Sequence, residues 1–189
     1  MKKGLTLIEV MFSIAIFGVG AVYVLSSLID NISFFERTNL RNEATFLAKE
    51  GIEIAYNIVD SNINRGMAWN CLGYDSNYNC TEKIGDSNNY YKFSIDKDGY
   101  FNTSITNKDF DDNIIYYHTG TSDLFWYNHD DTGQETYFSR YLYFTGVYSQ
   151  GDSGIIDKNK ILKVNSIVEY KKGAFTGEVI LESFIGNVR

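Results

Sequence analysis

The sequence predicts an α+β protein: a long N-terminal α-helix, membrane-spanning in its first half, with an antiparallel β-sheet head packed on its second half. Three observations predict it. Residues Leu5 to Ile29 are almost wholly apolar. The segment from Asp30 to Asp60 keeps a helical period but becomes amphipathic. From Tyr90 onward the chain breaks into short alternating stretches rich in Tyr, Phe, Ile and Val, separated by Gly, Asn and Asp.

The apolar stretch comes first. At about 1.5 Å rise per residue it is long enough to cross a hydrocarbon core of roughly 30 Å. Up to Ile29 the charged residues are Lys2, Lys3 and Glu9. The two lysines precede the apolar run, so the positive-inside rule keeps that end in the cytoplasm and exports the rest. A secretory signal peptide has a shorter apolar core followed by a small-residue cleavage site, and Asp30–Phe35 offers none. A plain membrane anchor fits the length. Neither explains Glu9, a carboxylate inside the apolar run, where a charge costs a few kcal/mol and marks function. Gly18 and Gly20 interrupt the run; they serve either close helix packing or local unwinding, and the sequence leaves both open.

Beyond Asp30, the residues Leu40, Ala44, Leu47, Gly51, Ile54, Ala55 and Ile58 recur at three- and four-residue steps, while Thr45, Lys49, Tyr56 and Asp60 fall on another face. One helix is therefore expected from about Leu5 to about Asp60. Asp60-Ser61-Asn62, Asn64 and Gly66 supply the stop. Residues 63–89 read as a loop region rich in Asn, Gly, Asp and Ser. Cys71 and Cys80 lie inside it. Two thiols without further ligands make no structural zinc site, and the histidines, His118 and His129, are distant. A disulfide stapling this loop is the simpler reading, with two reduced thiols as its alternative; a disulfide implies an oxidising compartment.

Strands are expected next. Tyr90–Ile95 and Tyr100–Ile105 flank the turn signal Asp98-Gly99. Ile114–Tyr117 and Leu124–Tyr127 are shorter candidates, and Tyr137–Tyr148 is long and aromatic. Lys160–Lys171 places Leu162, Val164, Ser166, Val168 and Tyr170 on one face. Lys172-Gly173 turns the chain into Thr176–Ile185, and these last two strands should pair antiparallel and pack on the helix stripe.

Composition bounds the function. A chain of 189 residues suits one domain plus an appendage. With 44% hydrophobic and 22% charged residues it is not a disordered composition. A formal net charge of -7 with scattered cations does not read as a nucleic-acid binder. Acidic clusters at Asp96-Lys97-Asp98, Asp109-Phe110-Asp111-Asp112 and Asp130-Asp131 supply the oxygen ligands calcium takes, but no spaced loop with a terminal Glu accompanies them, and a turn role is preferred. No cofactor is expected, with calcium in the head as the alternative. No Ser or Cys nucleophile has a recognisable context, so no enzymatic activity is expected. The sequons Asn31-Ile-Ser, Asn79-Cys-Thr and Asn102-Thr-Ser match the chance expectation for an Asn-rich chain.

The segment Gly4-Leu5-Thr6-Leu7-Ile8-Glu9-Val10 resembles the cleavage and N-methylation motif of type IV prepilins and pseudopilins. Leu47–Glu53 and Asn57–Asn62 are similar, less specifically, to the second half of the helix in minor pilins and pseudopilins with large heads. The resemblance implies a membrane peptidase that cuts between Gly4 and Leu5 and methylates Leu5, with Leu replacing the more usual Phe there. It implies that Glu9 is the acidic residue that pairs with the new N-terminal amine, of its own chain or of a neighbour. The chain then divides into a leader (1–4), a transmembrane and filament-core helix (5–29), its amphipathic continuation (30–62), the disulfide-stapled loop region (63–89) and the β-sheet head (90–189). Implied partners are other pilin-like subunits, the prepilin peptidase/methyltransferase, the inner-membrane assembly machinery and, before assembly, the membrane. Implied locations are the cytoplasmic membrane with the head outside the cytoplasm, then an extracellular pilus or periplasmic pseudopilus. Within the class the chain reads as a minor pilin or pseudopilin, with a major pilin as runner-up. Outside it, an uncleaved membrane-anchored adhesive protein is the alternative.

Overall fold

The computed structural model describes residues 6–74, 76–77, 79–85, 89–96, 98–120, 125–147 and 160–187. By its internal contacts the chain divides into two compact units, residues 1–40 and 41–189.

A single helix, α1, runs Leu7–Asn64, 58 residues. It stays helical through Gly18 and Gly20, where an added Cβ would meet nothing within 4 Å. Its polar side chains turn back onto the helix. Ser13 Oγ donates to the Glu9 carbonyl at 2.8 Å and Asn31 Nδ2 to the Ser27 carbonyl at 2.8 Å, so these groups carry fewer open donors into an apolar setting. The helix ends four residues past the expected Asp60, in a Schellman motif. Gly66 N donates to the Ile63 carbonyl at 3.0 Å and Met67 N to the Asn62 carbonyl at 2.9 Å. Gly66 has φ +71°, the left-handed conformation that the motif needs and that glycine adopts without penalty.

In the second unit the expected stripe is the buried one: Ala44, Leu47, Gly51, Ile54, Ala55 and Ile58 are all buried, and Ala48 and Val59 widen it. At Gly51 the helix backbone lies close against the sheet. A Cβ there would lie 2.6 Å from Ser166 Oγ.

The strands are β1 (Cys71–Tyr74), β2 (Cys80–Lys83), β3 (Tyr90–Ile95), β4 (Phe101–Thr106), β5 (Ile114–Thr119), β6 (Phe125–Asn128), β7 (Gln134–Gly146), β8 (Ile161–Lys172) and β9 (Phe175–Gly186). Every pairing is antiparallel. The loop expected over residues 63–89 is corrected here: it contains the β1–β2 pair. These strands are too short and too rich in Gly and Thr to show a pattern, and the Cys71–Cys80 bond holds them in place. The segment also supplies core residues Trp69, Cys71 and Ile84.

The other seven strands form one sheet. The expected strand Leu124–Tyr127 is observed as Phe125–Asn128, with Leu124 outside the described residues. The long aromatic strand starts earlier than expected, at Gln134, because Gln134 and Glu135 pair with β5; Tyr148 is outside the described residues. On β8 the expected face is confirmed: Leu162, Val164, Ser166, Val168 and Tyr170 are buried. β8 and β9 pair over their whole length, from Ile161↔Gly186 to Lys172↔Phe175.

β7 organises the sheet. One of its edges pairs with β8 from Phe138 to Gly146. The other edge changes partner, from β5 (Gln134, Glu135, Ser139) to β3 (Leu142, Tyr143). The hairpins β3–β4 and β5–β6 therefore diverge from a common strand. The core fills the space between this sheet and α1, with Ile54, Ile58, Tyr91, Phe93, Leu142, Phe144, Leu162 and Ile185 in one cluster.

Candidate functional site at the helix N-terminus

Helix α1 begins with Thr6 and Glu9. Thr6 precedes the first helical residue, and Glu9 lies in the first turn. Glu9 Oε2 accepts from the Thr6 backbone N–H at 2.8 Å and from Thr6 Oγ1 at 2.9 Å. A carboxylate here satisfies a backbone donor that the helix leaves open and faces the positive end of the helix dipole. Both bonds go to one oxygen. Among the described residues Oε1 has no partner, so Glu9 retains an acceptor. The Thr-x-x-Glu spacing is itself a helix-start signature. Gly4 and Leu5 lie outside the described residues.

After this cap the helix is exposed and apolar. Phe12 is 65% exposed, Phe17 78% and Val19 73%. An 18-residue window of α1 reaches a mean hydropathy of 2.2, and none of it is buried in the protein. By length and composition the helix suffices to cross a membrane.

The matching family model is the prokaryotic N-terminal methylation motif, over residues 1–25. The N-terminus is that of a type IV pilin-like precursor. That motif implies a membrane-embedded precursor, processing by prepilin peptidase and, in general, assembly with other pilin subunits. Comparison with curated proteins and with solved structures found no match.

The remaining sequence-predicted residues of this pilin-like chain are in the head. Cys71 and Cys80 are joined in a disulfide, with Cα atoms 5.7 Å apart. Asn62 Nδ2, in the last turn of α1, donates to the Cys71 carbonyl at 2.7 Å, tying the bridged strand to the helix end. The acidic clusters serve turns. Asp96 Oδ1 accepts from Asp98 N and Tyr100 N, both at 2.9 Å. Asp109 Oδ1 accepts from Asp111 N at 2.9 Å, and Asp130 Oδ1 from Thr132 N at 3.1 Å. Lys97 is outside the described residues. Among the described residues no three His, Cys, Asp or Glu side chains group so as to hold a metal ion.

The two histidines differ. His118 stacks on Trp126, with ring centroids 5.2 Å apart and planes 9° apart. His129 is largely buried, and its Nδ1 is 3.0 Å from the Ile114 carbonyl. Burial, reinforced by the positive charges of Arg140 and Lys92, pushes its pKa down to about 3. It is therefore neutral at neutral pH, with the Nδ1 proton donated to Ile114.

Proposed function

We propose that the precursor is cut between Gly4 and Leu5, is methylated on Leu5, and then packs through its N-terminal helix into a type IV pilus-like filament as a minor pilin or pseudopilin. On this reading it is a structural subunit and not an enzyme, and its head faces out of the cytoplasm.

One observation carries the filament reading. Exposed apolar side chains extend beyond the hydrocarbon core of a bilayer. From Leu7 to Phe35 the helix rises roughly 43 Å at 1.5 Å per residue, against a hydrocarbon core of roughly 30 Å. Ile32, Phe34 and Phe35 are 66%, 65% and 65% exposed. Lipid tails do not cover the whole of that length, and packed helices of neighbouring subunits do. The cut supports extraction, since it removes Lys2 and Lys3. The free Oε1 of Glu9 suits the new amine: it can accept from Leu5 of its own chain or of a neighbour while Oε2 keeps Thr6. A carboxylate left unpaired in that setting is costly, so such pairing favours one assembly register.

The test is the intact mass of the protein recovered from sheared filaments and from membranes. Expected in filaments is a mass lacking Met1–Gly4 and carrying one added methyl, at low abundance relative to the major subunit. Dominance of the filament mass by this chain would make it the major pilin. A full-length mass confined to membranes would make it an anchored surface protein.

A further inference from the structure

The change of partner along β7 opens a cleft on the face of the sheet away from α1. Its walls are the diverging hairpins. Lys92 and Ser94 come from β3, Asn102 and Ser104 from β4, and Asn128 and His129 from the end of β6. The cleft measures about 470 Å³, within the range of small-ligand sites. Its lining residues are all polar.

The fold leaves much of this polarity unspent. Among the described residues the side chains of Ser94, Asn102 and Ser104 make no hydrogen bond. Asn128 uses its Oδ1, which accepts from Asp130 N at 2.9 Å, but its Nδ2 has no partner. His129 Nε2 is buried without a partner. Ser94 is 5% exposed and Asn128 6%. Buried polar groups are normally paired, so the buried, unpartnered Nε2 of His129, ringed by unspent amides and hydroxyls, points to a ligand or to water standing in for it.

The charges narrow the ligand's class. Lys92 Nζ gives one of its protons to the Asp112 carbonyl at 2.8 Å, and it is the one cation against several carboxylates here. Asp96 and Asp130 stand on the rim, and Asp111, Asp112 and Asp131 line the adjoining recess. An anion therefore meets repulsion. A metal ion finds no group of carboxylates, since no three metal-ligating side chains converge among the described residues. An apolar ligand finds no apolar residue in the lining. Amides and hydroxyls, which both donate and accept, remain, and they match a neutral polyhydroxylated molecule. The same sheet face carries the His118–Trp126 stack, joined to the rim by His118 Nε2 donating to the Asp130 carbonyl at 3.2 Å. A flat aromatic pair beside a polar cleft suits the apolar face of a sugar ring.

We propose that the cleft between the β3–β4 and β5–β6 hairpins binds a neutral saccharide. The proposal stands apart from the filament reading, because it concerns the head alone and is tested without assembly.

The test uses the full chain in a detergent with no sugar headgroup. Saturation-transfer NMR is run against neutral disaccharides of glucose, galactose and N-acetylglucosamine, with glucuronate and calcium chloride as separate probes. Expected is saturable binding of at least one neutral disaccharide. Asn102→Ala and Ser104→Ala, both on exposed positions where folding is not at risk, each weaken it about fivefold, the effect of one lost hydrogen bond. Ile180→Thr, on the exposed face of β9, leaves it unchanged. The proposal is overturned if none of these disaccharides binds, if the Asn102→Ala/Ser104→Ala double variant binds like the parent, or if only glucuronate or calcium binds.

Discussion

Arg140 reaches from the middle of β7 to the Leu47 carbonyl on α1, with Nη1 2.9 Å from that oxygen. The same guanidinium donates from Nη2 to the Phe93 carbonyl at 3.0 Å, and its Nη1 lies 3.2 Å from Glu50 Oε2. The side chain is fully buried. The register explains the second bond. β3 and β7 pair at Tyr90↔Tyr143 and Tyr91↔Leu142. Two residues further on, the same register would set Phe93 opposite Arg140. The backbones have parted by then, and the guanidinium fills the gap. One side chain therefore joins the helix, the central strand and the diverging hairpin.

Replacing Arg140 tests that role. Arg140→Ala removes two charge-assisted hydrogen bonds and leaves a cavity. A loss of about 3 kcal/mol in unfolding free energy is expected. Glu50 is 35% exposed and can turn to water, so it adds little to the cost. Arg140→Met keeps the volume and should lose less. Urea unfolding of the full chain in detergent, followed by tryptophan fluorescence, measures both. Equal stability of the Ala variant and the parent would remove the bridging role.

The disulfide has a separate effect. It closes a ten-residue loop at a buried cysteine: Cys71 is 1% exposed. The Cys71→Ser/Cys80→Ser double variant should lose about 2–3 kcal/mol, chiefly because its unfolded chain is less constrained. Intact mass under non-reducing conditions should show the parent two hydrogens lighter than after reduction. Two free thiols would contradict the bridge.

How far the sequence revealed these features depended on their range. The helix, its buried stripe and the Ser166 face of β8 were legible because they are periodic over many residues. The N-terminal motif was legible because it is local. The β1–β2 pair was not: Cys71–Tyr74 and Cys80–Lys83 are short, and their pairing depends on a crosslink and on Asn62 nine residues before Cys71. Arg140 carries no such local signal. Its burial follows from β7 changing partner, a long-range relationship that no spacing encodes. The cleft between the hairpins was hidden for the same reason.

His129 sets a pH dependence. Its folded pKa is depressed to about 3, against about 6.5 when unfolded. Above pH 6.5 both states hold it neutral, and it costs nothing. As pH falls from 6.5 toward 3, the unfolded state takes up a proton that the folded state refuses, and stability declines by up to about 1.4 kcal/mol per pH unit. Between pH 6.5 and 5 this amounts to about 2 kcal/mol. Urea unfolding at several pH values should show that decline, and His129→Gln should flatten it. An equally steep decline in His129→Gln would assign it to other groups.

Gly4 and Glu9 should separate maturation from assembly. Gly4→Ala changes the residue before the proposed cut and should leave the leader attached, with unprocessed chain accumulating in membranes. Glu9→Ala leaves the cut site intact, so processing should continue. That variant loses the acceptor for Thr6 N–H, and it also loses the oxygen available to the new amine. Glu9→Gln distinguishes the two losses. Its amide oxygen can still accept from Thr6 N–H, but it carries no charge to pair with an amine. If charge pairing governs assembly, Gln fails as Ala does. If the cap alone matters, Gln restores incorporation. Immunoblots of sheared filaments and of membranes from all four strains give the answer, and wild-type incorporation of Glu9→Gln would sink the pairing argument.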